Sequence, residues 1–285
     1  MYHNEILATI TIAHHFQSAF SREQLFRFLR SKLDHETFHS TIDKLIREEI
    51  VFEKKNLLFA EDIEEICHKK KNWSKALFKE NIRYIWFLSK IPWVKYIGLT
   101  GANSFESCNE KDDIDLFIIT SPNRLWICYL VIVLLTKLIR KRKILCVNYL
   151  VDENNLEIKE QSYFTAIQII QMMPVFDNGH HKKLIKQNPW IFKKLPNASF
   201  DYEMDSFYLL KKENESQQNK GIALKMLSSV NQRIYKWYAN RLERKFPESF
   251  GNGILLSEGI AKLNRIDNHD IYEHLFSQIY KTINS

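Results

Sequence analysis

Residues 97–119 constrain this chain more than any other stretch. They run Ile97-Gly98-Leu99-Thr100-Gly101-Ala102-Asn103-Ser104-Phe105, then through a polar link to Asp113-Ile114-Asp115-Leu116-Phe117-Ile118-Ile119. The pattern predicts a strand, a tight glycine turn, a short helix and a second strand. Successive strand side chains alternate faces, so Asp113 and Asp115 point the same way, about 7 Å apart along the backbone. Two carboxylates on one face of a strand otherwise built from Ile, Leu and Phe repel each other and resist burial. A divalent cation removes both problems. Paired Asp ligands for Mg2+, beside a glycine turn that lets a phosphate approach the backbone, are minimal equipment for phosphoryl or nucleotidyl transfer. The plainer alternative makes Glu110 to Asp113 a loop and the two acids a solvated strand end. Motif and context together favour the metal site.

The spacing is Gly101-Ala102, the spacer Asn103 to Asp112, then Asp113-Ile114-Asp115-Leu116. It resembles the signature of the polymerase-beta-like nucleotidyltransferase superfamily. The likeness extends to bacterial nucleotidyltransferase-domain proteins with a winged-helix-like domain before the core and a helical domain after it. Ile91-Pro92-Trp93-Val94, Cys146-Val147-Asn148-Tyr149 with Leu156, Asn188-Pro189-Trp190 and Leu195-Pro196-Asn197 carry it further. The core resemblance covers residues 91–174.

That resemblance implies an α+β fold: a nucleotidyltransferase-type mixed sheet with helices, flanked by an N-terminal winged helix and a C-terminal helical domain. The implied boundaries are 1–70, 71–176 and 177–285. It also implies Mg2+ held by Asp113 and Asp115, and a nucleoside triphosphate, ATP being the first expectation. Gly101, Ala102, Asn103 and Ser104 would line the phosphate turn, Asn148 would occupy the third catalytic position, and Lys143 would neutralise charge. The nucleotide would pass to a hydroxyl of an acceptor, which the sequence does not name; RNA, DNA and protein are the candidate classes.

Two departures keep a second reading open. Ala102 stands where the superfamily usually has Gly or Ser, and lacks a hydroxyl for a phosphate; Ser104 and helix amides would have to serve. Asn148 replaces a carboxylate, and an amide is no base at neutral pH. Asp152 and Glu157 are the nearby acids. A hairpin turn at Asn154-Asn155 would pair them, yet Asp152 lies about 13 Å along the strand from Asn148. The alternative is therefore a catalytically degenerate binding or regulatory protein acting on nucleic acid or a protein partner. A third possibility is a structural subunit that uses a basic helix as its interface.

The net charge of +7 suits an anionic partner without specifying one. Lys69-Lys70-Lys71 and Arg140-Lys141-Arg142-Lys143 read first as solvated faces. The four cysteines are scattered, with no metal spacing and no disulfide framework. With no secretory pattern at the N-terminus, a reducing cytoplasm is the expected setting. Leu125 to Ile139 is apolar on almost all sides, but a membrane span needs about 20 such residues. A buried helix linking the metal strand to the next strand is the expectation.

Elsewhere, Ser21 with Gln24 forms a capping box, and Asp34 caps a third helix. Ile50 to Phe59 forms a hairpin. The mixed charge of the third helix argues against a strong DNA reader. His14, His15, His35 and His39 read as structural or surface residues. Residues 72–90 and 161–173 predict helices, the latter stopped by Pro174. Residues 177–200 predict a loop-rich segment, with Trp190, Phe192 and Leu195 as an apolar clamp. Asp177 with His180-His181 is a poor chelator, because adjacent loop histidines rarely share an ion. Lys211 to Lys220 reads as a mobile loop. A long helix follows, with Leu224, Leu227, Val230, Ile234, Trp237, Tyr238 and Leu242 inward and basic residues outward. Leu255–Leu263 and His269–Ile283 are expected to close the chain as a helical pair.

Overall fold

The computed structural model describes residues 2–199, 209–210, 221–251, 253–264 and 268–284; the stretch Lys211 to Lys220 lies outside them. The chain starts with α1 (Tyr2–His15), α2 (Arg22–Phe28), α3 (His35–Arg47), β1 (Phe52–Lys54) and β2 (Leu57–Phe59). The capping box is formed: Gln24 N donates to Ser21 Oγ, and Ser21 N donates to Gln24 Oε1. Thr37 N donates to Asp34, which caps α3. Each cap contributes about 1 kcal/mol. Ile6, Ile10, Leu25, Phe28, Phe38, Ile42 and Leu45 fill the space between the helices. Lys55 and Asn56 both adopt positive φ, the backbone that a two-residue hairpin turn demands.

Next come α4 (Glu64–Ser89), β3 (Val94–Leu99), α5 (Gly101–Ser104), β4 (Ile114–Thr120), α6 (Leu125–Leu138) and β5 (Leu145–Asp152). They are followed by α7 (Tyr163–Ile170), β6 (Met173–Asp177), α8 (His180–Gln187) and α9 (Ile191–Lys194). The described chain ends with α10 (Gly221–Lys245), β7 (Ile254–Leu256), β8 (Ile260–Leu263) and α11 (Asn268–Asn284). The fold is α+β around a mixed sheet of order β6-β3-β4-β5-β8-β7. Only β4 and β5 run parallel, with α6 as the crossover that parallel strands require.

Helices cover both faces. Tyr96, Phe117, Ile119 and Val151 join a core with α1–α3, α7, α8 and α11. Ile97, Leu99, Ile114, Leu116, Ile118, Val147 and Leu150 join another with α4 and α6, against which Ile234, Tyr235 and Tyr238 of α10 pack. This explains why α6 is apolar nearly all round. It lies between sheet and α10, leaving Leu134 and Leu138 outward. Among the described residues no helix is long and apolar enough to cross a membrane. Arg124, which precedes α6, supplies no side-chain cap. Asn231 of α10 does so instead, accepting from Trp126 N (2.8 Å) and Ile127 N (3.3 Å).

Several expectations need correction. Residues 255–263 are not helical; β7 and β8 form a hairpin that extends the sheet through β5. Short apolar runs look alike in strand and helix. The local signal is Gly259, where an added Cβ would lie 2.1 Å from Asn155 Nδ2. Asn154-Asn155 makes no hairpin. Asp152 Oδ1 accepts from Asn154 N (3.1 Å) and Asn155 Nδ2 (2.7 Å), which turns the chain away. Pro174 does not simply stop a helix: α7 ends at Ile170 and Pro174 sits in β6, an edge strand where a missing N–H is tolerated. Residues 177–200 contain α8 and α9 rather than loop alone. Val230 and Trp237 of α10, expected inward, are exposed, while the side chain of Leu224 lies outside the described ones.

The clamp is present: Trp190 and Leu195 are buried, and Phe192 packs on the same core. Asn188, fully buried, donates to Leu156 O and Leu184 O (2.7 Å each) and accepts from Ile158 N (2.8 Å) and Trp190 Nε1 (3.0 Å). Asn197 ties this segment to the first three helices, donating to Ser31 O (2.7 Å) and accepting from Leu33 N (3.0 Å). Arg30 reinforces that junction. Its guanidinium lies 3.8 Å from the Tyr163 ring centre and 3.0 Å from Glu273.

Candidate metal centre

The site is built where β3 turns into α5 against the start of β4. Thr100 N donates to Asp115 O (3.0 Å), closing the β3–β4 ladder at the turn. Gly101 then takes φ +58°, and a Cβ there would stand 2.5 Å from Asp115 Oδ2. Position 101 is glycine for both reasons: an L side chain is strained at that φ, and the carboxylate occupies its space.

The surrounding residues hold this turn from both sides. Gly101 N donates to Gln168 Oε1 (3.2 Å), and Gln171 Nε2 donates to Ser104 O (2.8 Å), so α7 grips α5 twice. Asn103 is buried and donates to Asp113 O (2.9 Å) and Cys108 Sγ (3.0 Å). It fixes the backbone that presents Asp113. Cys108 N donates to Ser74 Oγ of α4 (3.0 Å), and Glu106 pairs with Lys71 (3.0 Å) and Lys75 (3.6 Å). The loop before β4 is thereby anchored to α4.

Asp113, Asp115, Cys146 and Asn148 are all half-buried. Cys146 stands opposite Asp115 in the parallel β4–β5 register. The register slips one residue between Leu116 and Phe117, leaving Asn148 as the extra residue of a bulge, a device common beside active sites. The bulge lets Asn148 Nδ2 donate to Asp115 Oδ1, while Asn148 Oδ1 accepts from Cys146 Sγ (3.1 Å). These two partners set the amide's orientation.

Burial, then the charge of Asp113, pushes the Asp115 carboxyl up to about 7; the Asn148 amide opposes this and Asp112 adds to it. Burial pushes the Cys146 thiol up to about 11, with Asp113 and Asp115 adding to it and Arg142 opposing. Burial and the neighbouring acid thus disfavour the charged form of Asp115, and a bound cation would reverse this. One donor atom from each of Asp113, Asp115 and Cys146 lies within 4.8 Å of the others. Among the described residues this is the only such group able to hold a metal. The two carboxylates fit a hard cation such as Mg2+, which takes one or two protein carboxylates and completes its shell with water and phosphate. The thiol does not suit Mg2+.

The other predicted residues fall as follows. Ala102 is half-buried in the first turn of α5 and offers no side-chain donor. Ser104 is fully buried, and its hydroxyl donates to Gly101 O (2.9 Å). Lys143 is exposed in the turn before β5. Asp152 sits opposite Thr120 at the far end of the β4–β5 pair, accepting from Asn123 N (3.1 Å), and Glu157 is exposed. Neither acid joins the site. His180 Nε2 meets Glu153 (2.7 Å) and His181 Nδ1 meets Tyr96 OH (3.1 Å), so the two rings diverge. His14 is buried against Phe59, the structural of the two expected placements.

The basic stretch Lys69–Lys71 is spent on internal contacts. Lys69 meets Glu65, Lys71 meets Glu106, and Lys70 is buried toward Phe16 O. Near α3, Arg22 pairs with Asp43 and Glu53, and Lys54 and Lys55 pair with Glu64.

The sequence points to Cys146 only within the resemblance and not as a ligand, and it singles out neither Gln168 nor Gln171. Cys146 is hidden in an apolar strand, and its partner depends on register. The two glutamines are spaced to share one face of α7, the one signal that could have pointed to them. Comparison with known protein families, with characterised proteins and with solved structures finds no match to this chain.

Proposed function

We propose that the chain is a nucleotidyltransferase-type protein that binds a nucleoside triphosphate, ATP in the first instance, with Mg2+ at Asp113 and Asp115. The nucleotide passes to an acceptor hydroxyl and pyrophosphate leaves. The observation that carries this reading is the convergence of two half-buried carboxylates at the start of β4, with Asp115 against the Gly101 turn. The element order supports it: strand, glycine turn, short helix, metal strand, crossover helix, next strand. The three helices and hairpin before α4 take the order expected of a winged helix, and in this reading they form a flanking domain.

Asp113 and Asp115 would hold the Mg2+, which would supply charge neutralisation at the phosphates. The residues of the chain do the rest. Gly101 leaves room for the Asp115 carboxylate against the turn. Gln168, Gln171 and Asn103 keep that turn and the Asp113 backbone rigid. Asn148 holds one oxygen of Asp115 and leaves the other facing the turn. It orients without removing a proton, so catalysis would rest on alignment of the acceptor hydroxyl.

The test is calorimetric binding of ATP, GTP, CTP and UTP, with and without Mg2+, to the wild type and to Asp113→Asn/Asp115→Asn. Binding that needs both Mg2+ and the carboxylates supports the reading; a wild type that binds none of the four ends it. One observation favours the alternative of a degenerate binding protein: the third position is an amide engaged with Asp115. Mg2+-dependent binding without pyrophosphate release, across RNA, DNA and protein acceptors, would select it.

A further inference from the structure

The third donor of the cluster is sulfur. Cys146 lies directly across from Asp115 in the parallel register, and its Sγ stands within 4.8 Å of donor oxygens of both Asp113 and Asp115. Asn148, the only other polar side chain in the middle of β5, turns its oxygen to Cys146 and its nitrogen to Asp115. It offers the centre no free donor oxygen. Two carboxylate oxygens and one thiolate, with positions left open to solvent, match the three-ligand arrangement of open zinc sites. Thiolate selects softer ions and is a poor partner for Mg2+.

We propose that Cys146 is a third metal ligand and that the centre takes a thiophilic divalent cation of the Zn2+ class more tightly than Mg2+. The inference rests on the reading of Asp113 and Asp115 as metal ligands and adds the identity of the ion and its control. As the sulfur–metal bond forms, the thiol proton leaves to solvent, and the sulfur supplies the electron pair without change of oxidation state. Deprotonation ends the hydrogen bond from Cys146 to Asn148 Oδ1. Zn2+ and Mg2+ compete for the same carboxylates, so the ion present decides whether the site is poised for phosphate chemistry. Blocking Cys146 by alkylation or oxidation removes the soft-ion state and leaves the carboxylates.

The experiment uses Co2+ as the spectroscopic probe for Zn2+ on the full chain. Co2+ bound through thiolate gives a sulfur-to-metal charge-transfer band in the near ultraviolet. The wild type should show the band, Zn2+ should bleach it at stoichiometric concentration, and Mg2+ should not. Cys146→Ser keeps a donor to Asn148 and should abolish the band. Its Zn2+ affinity should fall at least about tenfold, a loss that even an outer partner of a metal ligand can produce, while Mg2+ affinity holds. Circular dichroism confirms that the variant is folded. A band that persists in Cys146→Ser assigns it to another cysteine and overturns the proposal. Mg2+ binding that depends on Asp113 and Asp115, with no band in the wild type, overturns the proposal alone. Absence of binding by either ion overturns this inference together with the reading on which it rests.

Discussion

The carboxylate of Asp115 occupies the space that a side chain on Gly101 would need. Turn and metal strand are therefore fitted to each other, and a change in one is felt by the other. Gly101→Ala should cost roughly 1–2 kcal/mol from the left-handed backbone alone. It should also push Asp115 Oδ2 away from the turn. We expect a drop in Mg2+-dependent nucleotide affinity of about tenfold or more, equivalent to at least ~1.4 kcal/mol. Denaturant unfolding and calorimetry separate the two effects; unchanged Mg2+ affinity would show that the carboxylate does not need that space.

Asp115 makes the site a source of pH-dependent stability. Its carboxyl sits at about 7 in the folded protein against an ordinary value of 3.8. Between those values the folded state keeps a proton that the unfolded state has released, so stability falls as pH rises through the window. The loss is complete above the folded value and amounts to at most about 4 kcal/mol. Urea unfolding at about pH 5 and about pH 8, for wild type and Asp115→Asn, measures it as a difference. Saturating Mg2+ should restore the wild type at the higher pH and do little for the variant. A pH-independent difference would refute the assignment.

Asn148→Asp restores a third carboxylate. It replaces the amide donor to Asp115 with a like charge, so the metal-free variant should be less stable than wild type at neutral pH, by about 1–3 kcal/mol. With Mg2+ the order should invert, giving tighter cation binding and, in the enzymatic reading, faster pyrophosphate release. Melting temperature with and without Mg2+ is the first readout. Destabilisation that Mg2+ leaves untouched would place Asn148 outside the cation's reach.

Asn188 should matter to the fold far more than its single side chain suggests. Asn188→Ala leaves two carbonyls, one backbone N–H and the Trp190 indole N–H without their partner. Each unsatisfied buried group costs about 1–3 kcal/mol, so a total of roughly 3 kcal/mol or more is expected. Equilibrium unfolding checks this, and a loss below about 1 kcal/mol would mean that water replaces the amide.

Local signals were the legible ones. Ser21 with Gln24, and Asp34 with Thr37, announce their helices because a cap is made within four residues of chain. The nearly all-round apolar character of Leu125 to Ile139 announced a buried helix. Alternation on β4 put Asp113 and Asp115 on one side, and the glycine beside them marked the turn. What the sequence hid depends on register and on long-range pairing. Cys146 joins the site only because β5 aligns it with Asp115, and Asn148 reaches Asp115 only through a bulge. Ser104 looked like a free hydroxyl, but its short helix turns it inward. Asn231 of α10 caps α6, more than a hundred residues earlier in the sequence, and nothing local to it says so. Ile254–Leu256 and Ile260–Leu263 are too short to show whether their period is that of strand or helix.

The β8 strand pairs with Tyr149, Leu150 and Val151 of β5, and this bears on how the molecule is made. The strand carrying Cys146 and Asn148 has its second neighbour only after residues 260–263 have been synthesised. Until then β5 is an open edge of largely apolar residues, a template for unwanted pairing. Closing such a distant contact is slow, because the intervening chain must first be brought round. During synthesis β4 and β5 can meet early, but the sheet that holds them rigid is finished late.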